Sequence, residues 1–265
     1  LALEKFNELL QMEKASFYVS TLEIFCNTKA KKAIHEYKNG TIKVKEATVL
    51  MDKVIAELMN LLYISPTAER FNLLGSTNKR RAYIASTIPQ KINFLSLAAY
   101  NYQHAQKISS EENRIYPLTN WYIMESLLTM MDKHVWGQQA GTGERKYELP
   151  ALKNVLSELM EKKKQLQNSS RHTFSYDEKV ALANIELCEL LLQPHKATQP
   201  ALDELLLAYR KTWASVGSTS KKTAEVEHLE IIINVLSNST KRDIVKLTKG
   251  LKVLKDALEM MLTNH

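Results

Sequence analysis

The amino-acid sequence predicts an all-α fold of about ten helices packed as antiparallel hairpins, and three observations carry that expectation. Five of the six prolines, Pro66, Pro89, Pro117, Pro150 and Pro200, each precede an apolar segment of helical period, where a missing N–H costs nothing in the first turn. Glycine is scarce, with seven in 265 residues, while the good helix formers Leu, Lys, Glu, Ala and Met are abundant. No stretch sustains the apolar/polar alternation of strands, and long helices with short polar links bury their stripes on one another.

In chain order, the first helix is expected from about Leu3 to Tyr37, with Phe6, Leu9, Leu10, Phe17, Leu22, Phe25 and Ile34 as its apolar stripe and Gly40 as its stop. The second spans Val44 to Tyr63. Ser65 reads as the N-cap of the third, with Pro66 in its first turn and Glu69 favourable to its dipole. The fourth runs from Pro89 to Ile108 and the fifth from Pro117 to about Gln138. "GQQAGTGERK", 137–146, then reads as a flexible connection, since it lacks the GxxxxGK[ST] spacing and preceding strand of a phosphate loop. Five further helices follow, from Pro150 to Leu166, Tyr176 to Leu192, Gln199 to Ser215, Lys222 to Leu236 and Lys241 to Leu262. The chain divides on this reading into an N-terminal hairpin, 1–64, a core of repeats, 65–138, and C-terminal hairpins of the same array, 139–265.

One repeat unit is legible inside this series. Phe71, Leu74 and Gly75 match the W-x2-L-G opening of a tetratricopeptide repeat, and Ala98, Tyr102 and Ala105 match its A-x3-F-x2-A second helix, with Asn78 where a tyrosine is expected. Gly75 to Ala98 is 23 residues, whereas a regular repeat leaves about a dozen there, so the helices are elongated. Gly75 is read as a close-approach residue, whose packing offsets a propensity cost of about 1 kcal/mol against alanine.

"SPTAERFNLLGSTNKRRA" at 65–82, "YPLTNWYIMESLL" at 116–128, with Tyr116, Pro117 and Asn120, and "AYRKTWASVGSTSKKTAEVEHLEIII" at 208–233 extend the likeness. With these residues the chain resembles bacterial tetratricopeptide-repeat-containing proteins related to the TRAF-binding region of apoptosis-signalling kinases, over roughly Pro66 to Leu236. The resemblance implies tetratricopeptide-like hairpins stacked in an irregular α-solenoid. It also implies a regulatory, protein-binding array, in some members found alongside a caspase-like CHAT peptidase, and it brings no catalytic residue.

Charge and residue chemistry narrow the function further. The formal charge of +7 is spread thinly, and only 70–110 stands out, with Arg70, Lys79, Arg80, Arg81, Lys91 and Lys107 and no carboxylate. Lys79, Arg80 and Arg81 have two readings, a solvated helix flank or a contact to an acidic peptide or phosphate, and at least one points away from the others because successive helical residues diverge by about 100°. They are the candidate partner-binding residues. The leading expectation is docking of a protein or another domain of the same polypeptide; the alternative is a nucleic-acid- or nucleotide-responsive module using the same strip.

Seven histidines show neither HExxH nor paired Cys/His spacing, so no metal or cofactor is expected. No GxSxG occurs, and no paired carboxylates occupy an otherwise apolar helix, so no enzyme is expected either. Cys26 and Cys188 lie in apolar helical patterns, as buried thiols of a reducing, cytoplasmic compartment do. The chain opens on Leu in an already helical pattern and is read as cut from something longer.

Overall fold

A computed structural model of the chain describes residues 18–168, 176–214 and 218–263. Among these, ten α-helices occur: α1 (Val19–Lys38), α2 (Val44–Ile64), α3 (Ala68–Ile84), α4 (Ile88–Ile108), α5 (Ile115–Met130), α6 (Leu152–Asn168), α7 (Tyr176–Leu192), α8 (Gln199–Ala214), α9 (Thr219–Leu236) and α10 (Arg242–Thr263). The fold is all-α, a series of helical hairpins of the repeat type. Leu3 to Phe17 of the expected first helix lie outside the described residues. The chain forms two compact units, 1–110 and 111–265.

In the first unit α1 and α2 form one hairpin and α3 and α4 the next, with α3 packed on α1, α2 and α4. Cys26, Ala30, Ala33 and Ile34 of α1, Met51, Val54 and Leu58 of α2, and Leu73, Leu74 and Ile84 of α3 build one buried cluster. Each large aliphatic side chain taken out of water there contributes roughly 1.5–3 kcal/mol before chain entropy is counted. Gly40, at φ +71°, closes α1: its N–H donates to the Tyr37 carbonyl and that of Thr41 to the Glu36 carbonyl, the paired bonds of a Schellman ending. The cap of α3 is Thr67, whose Oγ1 accepts from the Arg70 amide at 3.3 Å; Ser65, expected in that role, instead follows the last residue of α2.

The repeat motif lies where α3 meets α4. Phe71 stacks obliquely on His104, with ring centroids 5.3 Å apart, while Ala98, Tyr102 and Ala105 present a fully buried face of α4. A Cβ on Gly75 would stand 2.9–3.0 Å from three atoms of the Tyr102 ring. The close approach is thus made inside one hairpin, between its own two helices.

In the second unit α5 packs on α7 and α9, α7 on α6 and α8, and α10 on α8, α9 and the short 3-10 turn Pro194–Lys196. Trp121, Trp213 and Tyr209 are buried parts of this scaffold. The fifth helix stops at Met130, well before Gln138, because Asp132 adopts φ 59° and a Schellman pair forms, Asp132 N–H to Thr129 O and Lys133 N–H to Leu128 O. Lys241 Nζ reaches back to the Asp132 carboxylate at 2.6 Å and to the Met130 carbonyl. The glycine-rich segment is a small β-hairpin, not a flexible link: β1 (Gln139–Ala140) pairs antiparallel with β2 (Tyr147–Glu148).

Gly75→Ala is expected to lower stability by about 1–2 kcal/mol, because overpacking against a buried ring outweighs the helix-propensity gain. Urea unfolding followed by circular dichroism measures it, and an unchanged or raised midpoint would contradict the close-contact account.

Candidate functional site

Helix α3 is buried almost all round, from Leu73 to Ala82 without a break. Five cations of the acid-poor region, Arg70, Lys79, Arg80, Arg81 and Lys91, are buried with it or beside it, and the structure shows how Arg70, Lys79 and Arg81 are accommodated. Arg70 Nε donates to Glu23 Oε1 of α1 at 2.7 Å, and its Nη1 donates to the Leu61 and Ser65 carbonyls, so one guanidinium ties α1 and the α2–α3 turn to α3. Arg81 Nε donates to Asp52 Oδ1 of α2 at 2.8 Å, with its guanidinium 4.4 Å from the centre of the Phe94 ring of α4. Lys79 Nζ lies over the Tyr102 ring at 5.9 Å.

Lys79, Arg80 and Arg81 are only 5, 5 and 6 % exposed, which corrects the expectation that they reach out from a helix flank. The three diverge around a helix that has neighbours on several sides, so divergence sends them to different partners within the fold. Burial holds the Lys91 ammonium below its usual pKa, and it raises that of Glu69, helped by the nearby Glu23 charge. Asn78, in the position of the missing tyrosine, donates Nδ2–H to the Leu74 carbonyl at 2.8 Å, while its buried Oδ1 accepts no hydrogen bond.

The second unit holds a polar centre that the sequence reading did not find. Glu125 is completely buried on α5. Its Oε1 accepts from Trp121 Nε1 at 3.2 Å and from the Tyr147 hydroxyl of β2, and its Oε2 lies 2.6 Å from His134 Nδ1. A lone carboxylate within the apolar run "NWYIMESLL" was the available signal. Burial and the adjacent carboxylate push the Tyr147 hydroxyl far above its usual pKa, so it stays a donor. The arrangement fixes the β-hairpin to α5. Tyr122, next to Trp121 in sequence, donates to Glu158 of α6 at 2.5 Å. Pro117 and Asn120 are buried on the same helix, the latter with its Nδ2 on the Tyr116 carbonyl.

Among the described residues nothing else gathers reactive groups. The Cys26 thiol is pushed up to about 12 by burial and by Glu57, and that of Cys188 rises by burial, so neither is a thiolate near neutrality. Among the described residues no group of three or more His, Cys, Asp or Glu side chains is placed to hold a metal ion, and no helix is long and apolar enough to cross a membrane. An open groove of about 440 Å³ between α6, α7 and α8 mixes Glu186 and Glu204 with Lys211, and so selects no ligand by charge.

Residues 2–128 match the family model described as Tetratricopeptide Repeats-Sensor, which spans the first unit and nearly all of α5. Over these residues the chain is similar to tetratricopeptide-type repeats, which are generally non-catalytic protein-interaction modules. Neither the comparison with curated proteins nor that with solved structures finds a match.

Two expectations follow from these polar centres. Both guanidinium groups are 8 % exposed, but Glu23 is 14 % exposed and Asp52 51 %, so Glu23→Ala should cost about 2 kcal/mol and Asp52→Ala, where water can take the carboxylate's place, about 1 kcal/mol; chemical denaturation of both variants orders the two. Glu125→Ala should lower stability by about 3 kcal/mol and Tyr147→Phe by roughly half as much, read by thermal unfolding, since each leaves buried donors or an acceptor short of a partner.

Proposed function

We propose that the chain is a regulatory protein-interaction module that docks a protein or another domain of its own polypeptide, and that it controls a linked effector, a CHAT-type peptidase among the candidates. The observation that supports this reading best is the match of 2–128 to a repeat family whose description pairs tetratricopeptide repeats with sensing. The physical character of the molecule agrees with it. Its polar centres are tied up inside the fold as braces, and its cysteines are quenched as nucleophiles, which leaves surfaces rather than a reacting cleft as the means of action.

The protein-docking reading is favoured over a nucleic-acid one by a specific observation. The strip that both readings shared, Lys79 to Arg81, is buried, so neither a phosphate backbone nor an acidic peptide reaches it, and the surface that remains separates the two. Exposed apolar side chains occur instead, among them Val49, Met59 and Tyr63 on the outer side of α2.

Affinity capture tests the reading directly, with the chain as bait and the remainder of its own polypeptide or the products of adjoining genes as prey. Saturable, stoichiometric binding of one of these is expected. Binding of none of them, with salt-sensitive retention of RNA or DNA instead, would overturn it.

A further inference from the structure

Helix α10 turns two unlike faces outward and inward. Ile244, Leu247, Leu251, Leu254 and Leu258 are buried against the second unit. On the opposite side Arg242, Lys246, Lys249, Val253, Asp256 and Met260 follow one another at intervals of four, three, four, three and four residues, all exposed. At about 100° per residue these six fall within a narrow stripe, with Lys252 at its flank. Alternating threes and fours is the spacing of one face of an α-helix, so these six side chains form a continuous strip that a second helix can follow along its length.

The stripe is graded in chemistry. Its first half is cationic, and among the described residues Arg242, Lys246, Lys249 and Lys252 make no ion pair, whereas the neighbouring Lys241 and Lys255 are engaged, by Asp132 and by Asp256 and Glu259. Its second half presents Val253, 66 % exposed, and Met260, 61 % exposed. From 241 to 255 the chain holds six cations and one carboxylate, Asp243.

We infer that the outer face of α10 is a docking surface for an acidic amphipathic helix of a partner protein, whose carboxylates oppose Arg242, Lys246, Lys249 and Lys252 and whose apolar residues cover Val253 and Met260. This rests on the protein-docking reading and adds the place and the chemistry. A second copy of the chain is a poorer occupant, because two such stripes bring eight cations against two copies of Asp256, each already held by Lys255. Nucleic acid is also disfavoured. A phosphate backbone gains nothing from Val253 and Met260, and Asp256 between them repels it.

The test is fluorescence anisotropy with the whole chain and a synthetic helical peptide carrying Glu at heptad positions over one half and Leu over the other, beside a peptide of the same composition in scrambled order. The patterned peptide should bind saturably and at least about tenfold more tightly than the scrambled one. Lys246→Glu/Lys249→Glu should weaken it by about tenfold or more, and Val253→Ser/Met260→Ser by a further several-fold, with the circular-dichroism spectrum unchanged. Lys246→Gln/Lys249→Gln serves as a milder pair with a smaller loss in the same direction. Equal binding of the two peptides, tighter binding of single-stranded RNA or duplex DNA, or self-association lost on charge reversal would each overturn the inference. A natural partner captured equally well by wild type and the Glu pair would sink this surface alone, leaving the docking reading intact.

Discussion

The constraint on which the first unit depends is that α3 has almost no solvent-facing side. A helix covered on several sides is ordinarily apolar all round, yet this one carries Arg70, Lys79, Arg80 and Arg81. Each cation placed in such surroundings loses hydration worth several kcal/mol and must recover it from fixed partners. Glu23, Asp52, the carbonyls at the α2–α3 turn and the Phe94 and Tyr102 rings supply that recovery for Arg70, Arg81 and Lys79, and they come from α1, α2 and α4. The helices around α3 are therefore positioned by directional contacts as well as by the non-directional burial of Leu73, Leu74 and Ile84.

Gly75 and Asn78 show how the repeat motif is modified to suit this arrangement. The glycine lets the Tyr102 ring lie directly on the α3 backbone, which brings Lys79, one residue-turn further along, over the same ring. Position 78 is buried, so the larger tyrosine of the regular motif would need room there. The asparagine instead folds its amide back onto the Leu74 carbonyl and stays small.

Much of the fold was legible because helical periodicity and proline punctuation are local signals. The helix from Tyr176 to Leu192 was read at its observed limits, and most others within a residue or three. The misplaced ends have local causes of another kind: Asp132 in a left-handed conformation stops α5, a position where glycine is the usual signal. The candidate site was much less legible. A cationic run without carboxylates looks the same whether it faces water or meets partners 29 and 47 residues away, as Arg81 and Arg70 do with Asp52 and Glu23. Glu125 gives no paired-carboxylate signal, although its apolar neighbours mark it as a residue that needs donors from elsewhere in the chain.

The bond from Lys241 to the end of α5 has a mechanical consequence. It joins points 109 residues apart at the very start of α10, just before the cationic half of the outward stripe. Force applied along that stripe meets this tether first, and the tether leads to the Schellman ending of α5, two residues from His134 and hence to the Glu125 centre. Both side chains of the tether are half-exposed or more, so salt weakens it while the buried Glu125 centre is spared, and the start of α10 can part from α5 before the β-hairpin loses its anchor.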